Sequence, residues 1–262
     1  MASGSQSLGT GYNNASVQGL SLISGATGGS PQGIYDESST QEYPLGQLRE
    51  FEDGRKFRYA KASAAITASK TVSTDSVQLV AASDLLNAVW TAAAAGSTSL
   101  TVTDADLGSA TANLYAGAYL GNLTNKEQYR IKSNTAASSN AVTLELYDGI
   151  VTAFAASDDS IITPNPYGSV ITATVTDGAY DRVVGIAPIA VTSGYYFWLQ
   201  VAGVALAIAE GGITMGTGVS IGNDVAGSVQ IFDQGIDEVP LGVALGIAAD
   251  TASVPIMLNI SG

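Results

Sequence analysis

One stretch of this chain narrows its possible folds more than any other. Val142, Leu144 and Leu146 alternate with Thr143, Glu145 and Tyr147, and the run breaks on Asp148-Gly149. A period of two closed by a turn dipeptide is the pattern of a strand with one buried face. The same grammar recurs after Lys61. The β-branched run 170–175 precedes Asp177-Gly178, and Val204, Leu206 and Ile208 alternate with Ala205, Ala207 and Ala209. Short strands at close spacing between turn signals predict an all-β fold of two small sandwich-like or barrel-like modules. The one helical candidate is 84–95, with Ser83 as N-cap and Leu85, Leu86, Val89 and Trp90 on helical spacing; an Ala-rich strand is the alternative.

Two segments, 195–209 and 240–248, are apolar on both strand faces. Such strands are covered on two sides. In an all-β chain that means a packed core with a subunit contact, or a closed barrel. Gly203, Gly242 and Gly246 let backbones approach closely there. The expectation is a homo-oligomer.

Composition divides the chain. Residues 1–48 are rich in Gly, Ser, Thr, Gln and Asn and hold neither a helical nor a strand period, which predicts an extended N-terminal arm. Its isolated apolar residues Leu8, Tyr12, Val17, Leu20, Ile23, Ile34 and Tyr35 are candidate contacts, either with a neighbouring protein or with the chain's own body. Residues 49–71 form a basic hairpin and lead-in strand. The segment Pro164-Asn165-Pro166-Tyr167-Gly168 is the best boundary, since each proline holds its predecessor extended. It separates a β module at 72–165, with an insertion as one reading of it, from a β-barrel or sandwich module at 166–262.

The hairpin holds half of all the bases: Arg49, Arg55, Lys56, Arg58 and Lys61. Asp53-Gly54 reads as a two-residue turn. On the outgoing strand Phe57 and Tyr59 share a face with Arg55 and Lys61. Two readings stand: a basic, aromatic patch that docks on an acidic partner, or a hairpin that balances its own Glu50, Glu52 and Asp53.

The remaining charge and residue types exclude whole classes of chemistry. The chain has 262 residues, no His and no Cys. A Ser-His-Asp triad, a thiolate nucleophile and a zinc-thiolate site are all impossible within it. The net charge is −13, which opposes nucleic-acid binding, where clustered bases displace counterions. The acidic pairs Asp104/Asp106 (expected on one strand face), Asp158-Asp159 and Asp237-Glu238 could in principle serve a hydrolase, but no cleft is marked around them. The 233–238 run only faintly resembles a calcium loop and reads as a turn. The glycines of 216–222 read as hairpin turns and not as a nucleotide loop. No enzyme activity, cofactor or metal is expected. The opening MASGSQSLGTG has no basic or apolar signal region, and 195–209 is shorter than the roughly 20 residues of a membrane helix; neither secretion nor a membrane partner is expected.

Several stretches resemble bacteriophage head decoration (capsid cement) proteins: EDGRKFRYAKA at 52–62, AGAYLGNLTNKEQYRIKSNTAASSNAVTLELYDGI at 116–150, VVGIAPIAVTSGYYFWLQVAGVALAIAEGGITMGTGV at 183–219 and PLGVALGIAADTASVPIMLNISG at 240–262. The resemblance lies in turns and apolar spacing. It implies a non-enzymatic virion protein, often a homotrimer, on the outer surface of the shell. Such a protein binds the major capsid protein and stabilises it, reaching across with its arm. A tail-fibre, head-fibre or adhesin module that binds host glycans through exposed Tyr and Trp on loops is the alternative. The major capsid protein itself fits less well, since that fold carries a long spine helix.

Overall fold

A computed structural model describes residues 32–75, 89–108, 110–174, 182–232 and 240–260. They form sixteen strands and one short 3-10 turn, so the chain is all-β. No helix among the described residues is long and apolar enough to cross a membrane.

The strands make two antiparallel sheets. The first contains β1 (Leu48–Glu50), β2 (Lys56–Lys61), β3 (Thr71–Thr74), β10 (Val170–Thr172), β11 (Val183–Ile186), β12 (Tyr196–Ile208), β13 (Gly218–Ile221), β14 (Val229–Ile231), β15 (Gly242–Ala244) and β16 (Ser253–Asn259). Its order is β10-β3-β11-β12-β16-β15-β13-β14, with β2 also on β12 and β1 on β2. The second contains β4 (Val89–Trp90), β5 (Ser99–Thr103), β6 (Tyr119–Asn122), β7 (Glu127–Asn134), β8 (Ala141–Leu146) and β9 (Ser160–Thr163), in the order β4-β5-β8-β7-β6-β9.

Each sheet has its own core. Trp90, Leu120, Ile131, Val142, Leu144 and Phe154 belong to a cluster drawn wholly from the second sheet and its loops. The body holds three further clusters, built largely around the two halves of β12. In β8 the residues Val142, Leu144 and Leu146 are buried, as their alternation requires.

The topology explains how the second sheet is joined on. Thr74, at the end of β3, pairs with Val170, at the start of β10. The chain leaves the body and returns to it on opposite strands of a single rung. A boundary at residue 72 falls inside β3, whose partners β10 and β11 are both body strands. At the other end, Asn165 ties the junction: its Nδ2 donates to the Leu45 carbonyl at 3.1 Å, and its Oδ1 accepts from the Tyr167 N–H at 3.0 Å.

Three local expectations need correction. Within the helical candidate 84–95, residues 84–88 lie outside the described residues, and Val89–Trp90 is a strand paired with Val102 and Thr103. Tertiary packing decides this, because Trp90 is buried against Phe154 at 5.2 Å between ring centroids. The hairpin loop has three residues and not two. The Gly54 N–H donates to the Phe51 carbonyl, the Phe51 N–H to the Arg55 carbonyl, and Gly54 sits at φ +82°. This is a turn closed by a left-handed glycine, the common three-residue solution. Finally, Asp104 and Asp106 do not share a strand face, because β5 ends at Thr103 and Ala105–Leu107 is a 3-10 turn.

Candidate interaction surfaces

The residues leading into β1 are fastened to the body by one side chain that sequence reasoning missed. Gln32 uses nearly all of its polar groups. Its Nε2 donates to the carbonyls of Asp36 (2.8 Å) and Tyr196 (2.9 Å), and its Oε1 accepts from the Tyr59 hydroxyl (2.7 Å). Its backbone carbonyl accepts from Arg49 Nη1 (2.9 Å) and Trp198 Nε1 (3.2 Å). A glutamine in a polar segment carries no local signal of this, since four of its five partners come from β1, β2 and β12.

Around Gln32 stands an aromatic hub. Tyr59 and Trp198 are fully buried and lie 5.1 Å apart, and Tyr43 packs on both at 5.3 and 5.1 Å. Burial raises the Tyr59 hydroxyl to about 12; the neighbouring Glu42 charge adds to this, while the Glu42 N–H bonded to the hydroxyl opposes it.

The predicted contact residues separate around this hub. Leu8, Tyr12, Val17, Leu20 and Ile23 lie outside the described residues. Ile34 is buried in the hub cluster, so it serves the body. Tyr35 is 62% exposed, and its hydroxyl accepts from Arg55 Nη1 at 3.3 Å. Arg49 lies over the rings of Trp198 (5.3 Å) and Phe51 (5.7 Å), and burial lowers its pKa. Arg55 pairs with Asp53 at 2.7 Å, and Lys56 reaches Glu50 at 3.9 Å. Arg49, Arg55 and Lys56 thus have partners within their own chain. Arg58 and Lys61 face elsewhere. Arg58 donates to the Gly46 carbonyl and lies 5.9 Å over Tyr167, its Nε finding no hydrogen bond among the described residues. Lys61 lies 5.5 Å over Tyr196. Both line hollows at the junction of the two sheets.

The candidate acids have structural roles where they are described. Asp158 is buried and accepts from Asn122 Nδ2 (2.9 Å) and the Ala155 N–H (3.1 Å), shaping a turn. Asp159 is exposed beside it. Asp237-Glu238 and the rest of 233–238 lie outside the described residues. Among the described residues no cluster of three or more ligating side chains could hold a metal. Among the described residues the carboxylate with the most donors is Glu210. It accepts the N–H groups of Asn223, Asp224 and Val225 and the Ser228 hydroxyl. Partial burial works to raise its pKa, but these four donors, Ser228 foremost, win and hold it low. A Cβ at Gly222 would stand 2.2 Å from Glu210 Oε2 and 1.9 Å from Ser228 Oγ, so this knot requires glycine there.

The third surface is a sheet face. In β12 the residues Ala205 and Ala207 point inward, while Val204 and Leu206 are 48% and 50% exposed. Val204 pairs with Met257, and Met257 with Val243, making one row across three strands. Leu206 pairs with Pro255, whose carbonyl accepts the Leu245 N–H. Met257, Val243 and Leu245 are 45%, 44% and 40% exposed, and Ile247 just beyond is 78% exposed. None of the residues 204–208, 242–248 and 253–259 is charged. The expectation that both faces of 195–209 and 240–248 are covered holds for 197–202, which are buried throughout, while in 204–208 and 242–247 the chain itself covers the inward face and leaves the other open. No protein-family model matches the chain, and comparison with curated proteins and with solved structures gives no match.

Proposed function

We propose that this chain is a virion structural protein, a capsid decoration protein that sits on the outer surface of the shell, binds the major capsid protein and stabilises it as a homotrimer. The observation that carries this reading is the uncharged apolar face of β12, β16 and β15. Its six exposed side chains amount to something on the order of 500 Å², toward the upper end of what a monomer leaves open. That is more than half of the roughly 800 Å² each partner contributes to a standard interface. In a chain of charge −13, it is also a surface on which copies can meet without like-charge repulsion.

The N-terminal segment supports the same reading. Gln32, the first described residue, is fastened to the body, and residues 1–31 before it carry no charged side chain. An uncharged polar arm tethered at a fixed site suits contact with a neighbouring protein through backbone hydrogen bonds. Many copies on one shell then turn modest single contacts into avidity.

The test is made on particles. Virions assembled with and without the protein are challenged by heat and osmotic shock, and its density is located by imaging. Stripped particles should release their genome at lower temperature. Equal resistance, or density on a tail or fibre, overturns the reading.

A further inference from the structure

Three hollows meet where the two sheets join, of about 550, 520 and 400 Å³. All three are lined by Leu45 and Asn165, so they form one branched cleft. One wall is the lead-in 41–47 with Arg58 and Lys61; the other is the outward face of the second sheet.

That outward face has an unusual makeup for this chain. Tyr119 of β6 pairs with Arg130 of β7, and the Tyr147 N–H donates to the Arg130 carbonyl at 3.1 Å. The Arg130 guanidinium lies 5.1 Å over the Tyr147 ring. Lys132 follows two residues on, exposed like Arg130. Tyr147 is 55% exposed and Tyr119 36%. Four bases, Arg58, Lys61, Arg130 and Lys132, thus line the cleft against a single acid, Glu42. The Glu42 carboxylate accepts from the Thr40 hydroxyl at 2.8 Å. None of the four bases forms an ion pair among the described residues, whereas Arg55 and Lys56 on the same hairpin do. A chain with 23 acids and 10 bases has gathered four of those bases around one cleft with one acid.

We infer that this cleft is a binding site for a carboxylated saccharide. Guanidinium groups grip carboxylates in pairs of parallel hydrogen bonds, and Tyr rings offer flat, amphipathic faces to sugar rings. Gln41, Gln47 and the Tyr hydroxyls supply donors and acceptors for hydroxyl groups. The walls offer few aliphatic side chains, Leu45 and Leu114 being the large ones, so little is present to anchor the apolar residues of a peptide. This site is separate from the uncharged sheet face and does not depend on a place on a capsid.

The test is calorimetric titration of the full chain at low and at physiological salt. The probes are an oligogalacturonate, its methyl ester and an oligoglutamate of equal charge. Oligogalacturonate should bind at least tenfold more tightly than either of the others. Arg130→Gln should weaken it about tenfold and Tyr147→Ala about fivefold, with unchanged melting temperature because both side chains lie on the surface. Lys56→Gln, outside the cleft, should leave binding as it was. Absence of binding, equal binding of oligoglutamate, or an equal loss in Lys56→Gln overturns the assignment; the oligoglutamate result would instead point to an acidic polypeptide. A capsid location, whether found or not, leaves this titration unaffected.

Discussion

The two halves of β12 are made from the same kind of sequence and meet opposite surroundings. From Tyr196 to Val201 the strand is enclosed. Trp198 lies in the aromatic hub with Tyr59 and Phe57, and Phe197 and Leu199 point to a second cluster with Val72 and Val170. From Val204 to Ile208 one face is closed and the other open, with the small Ala205 and Ala207 inside and the larger Val204 and Leu206 outside. The two halves are divided by a register shift at Gln200–Ala202 and by Gly203 at φ +85°, where a Cβ would meet the Arg55 backbone at 2.7 Å. A run that is apolar on both faces asks for two coverings. The chain supplies both for one half of β12 and one for the other.

The sharpest way to break this contrast is Trp198→Ala in the enclosed half. It should cost about 3–5 kcal/mol, because it empties a fully buried site and takes away the indole donor to Gln32. Chemical denaturation measures this; a loss below about 1 kcal/mol would mean the hub is not a packed core. Gln32→Ala should come next, at about 2–3 kcal/mol, since it leaves the buried Tyr59 hydroxyl without its acceptor. Protease sensitivity near residue 32 should rise with it.

The hub also carries a pH signature. The folded-state pKa of Tyr59 is raised from 10.0 to about 12, so the neutral phenol's contribution is complete below pH 10 and is lost as pH climbs through 12. Alkaline unfolding followed by tyrosinate absorbance should therefore shift in Tyr59→Phe; an unchanged midpoint would refute this. At the far end of the strand, Glu210→Gln should cost about 1–2 kcal/mol after allowance for solvent screening, by weakening four hydrogen bonds to 223–228. Because that carboxylate is held low, its contribution is present above pH 4.5 and fades as pH falls below it. The smallest effect on the folded monomer belongs to Leu206→Ser in the open half, under about 0.5 kcal/mol. The same change should reduce self-association measured by sedimentation. A monomer loss as large as that of Trp198→Ala would erase the contrast.

Much of the fold was legible because strand alternation is local. Val142, Leu144 and Leu146 announce their own burial, and Pro164 and Pro166 lie between β9 of one sheet and β10 of the other. The three-residue loop at Gly54 was missed by one position, since Asp-Gly fits two turn types and the flanking hydrogen bonds decide. The candidate surfaces were far less legible. Arg49 and Arg58 stand in the sequence as equivalent bases of one hairpin, open to docking or to internal balance, yet one lies over Trp198 and the other lines the cleft. Their roles depend on residues 149 and 109 positions away. Gln32 gave no signal at all, and the cleft joins residues 41–47, 58, 130 and 165, which only the folded chain brings together.

The adjacency of Thr74 and Val170 has one more consequence. Since the chain departs and comes back across one rung, a tight loop of two to five residues could close β3 onto β10 as an ordinary hairpin. The second sheet, with a core of its own, is in that sense a plug-in cassette. Another domain whose ends lie close together could take its socket without altering the ladder beneath. Evolution, or an engineer, could change what this protein presents to its surroundings while leaving the platform intact.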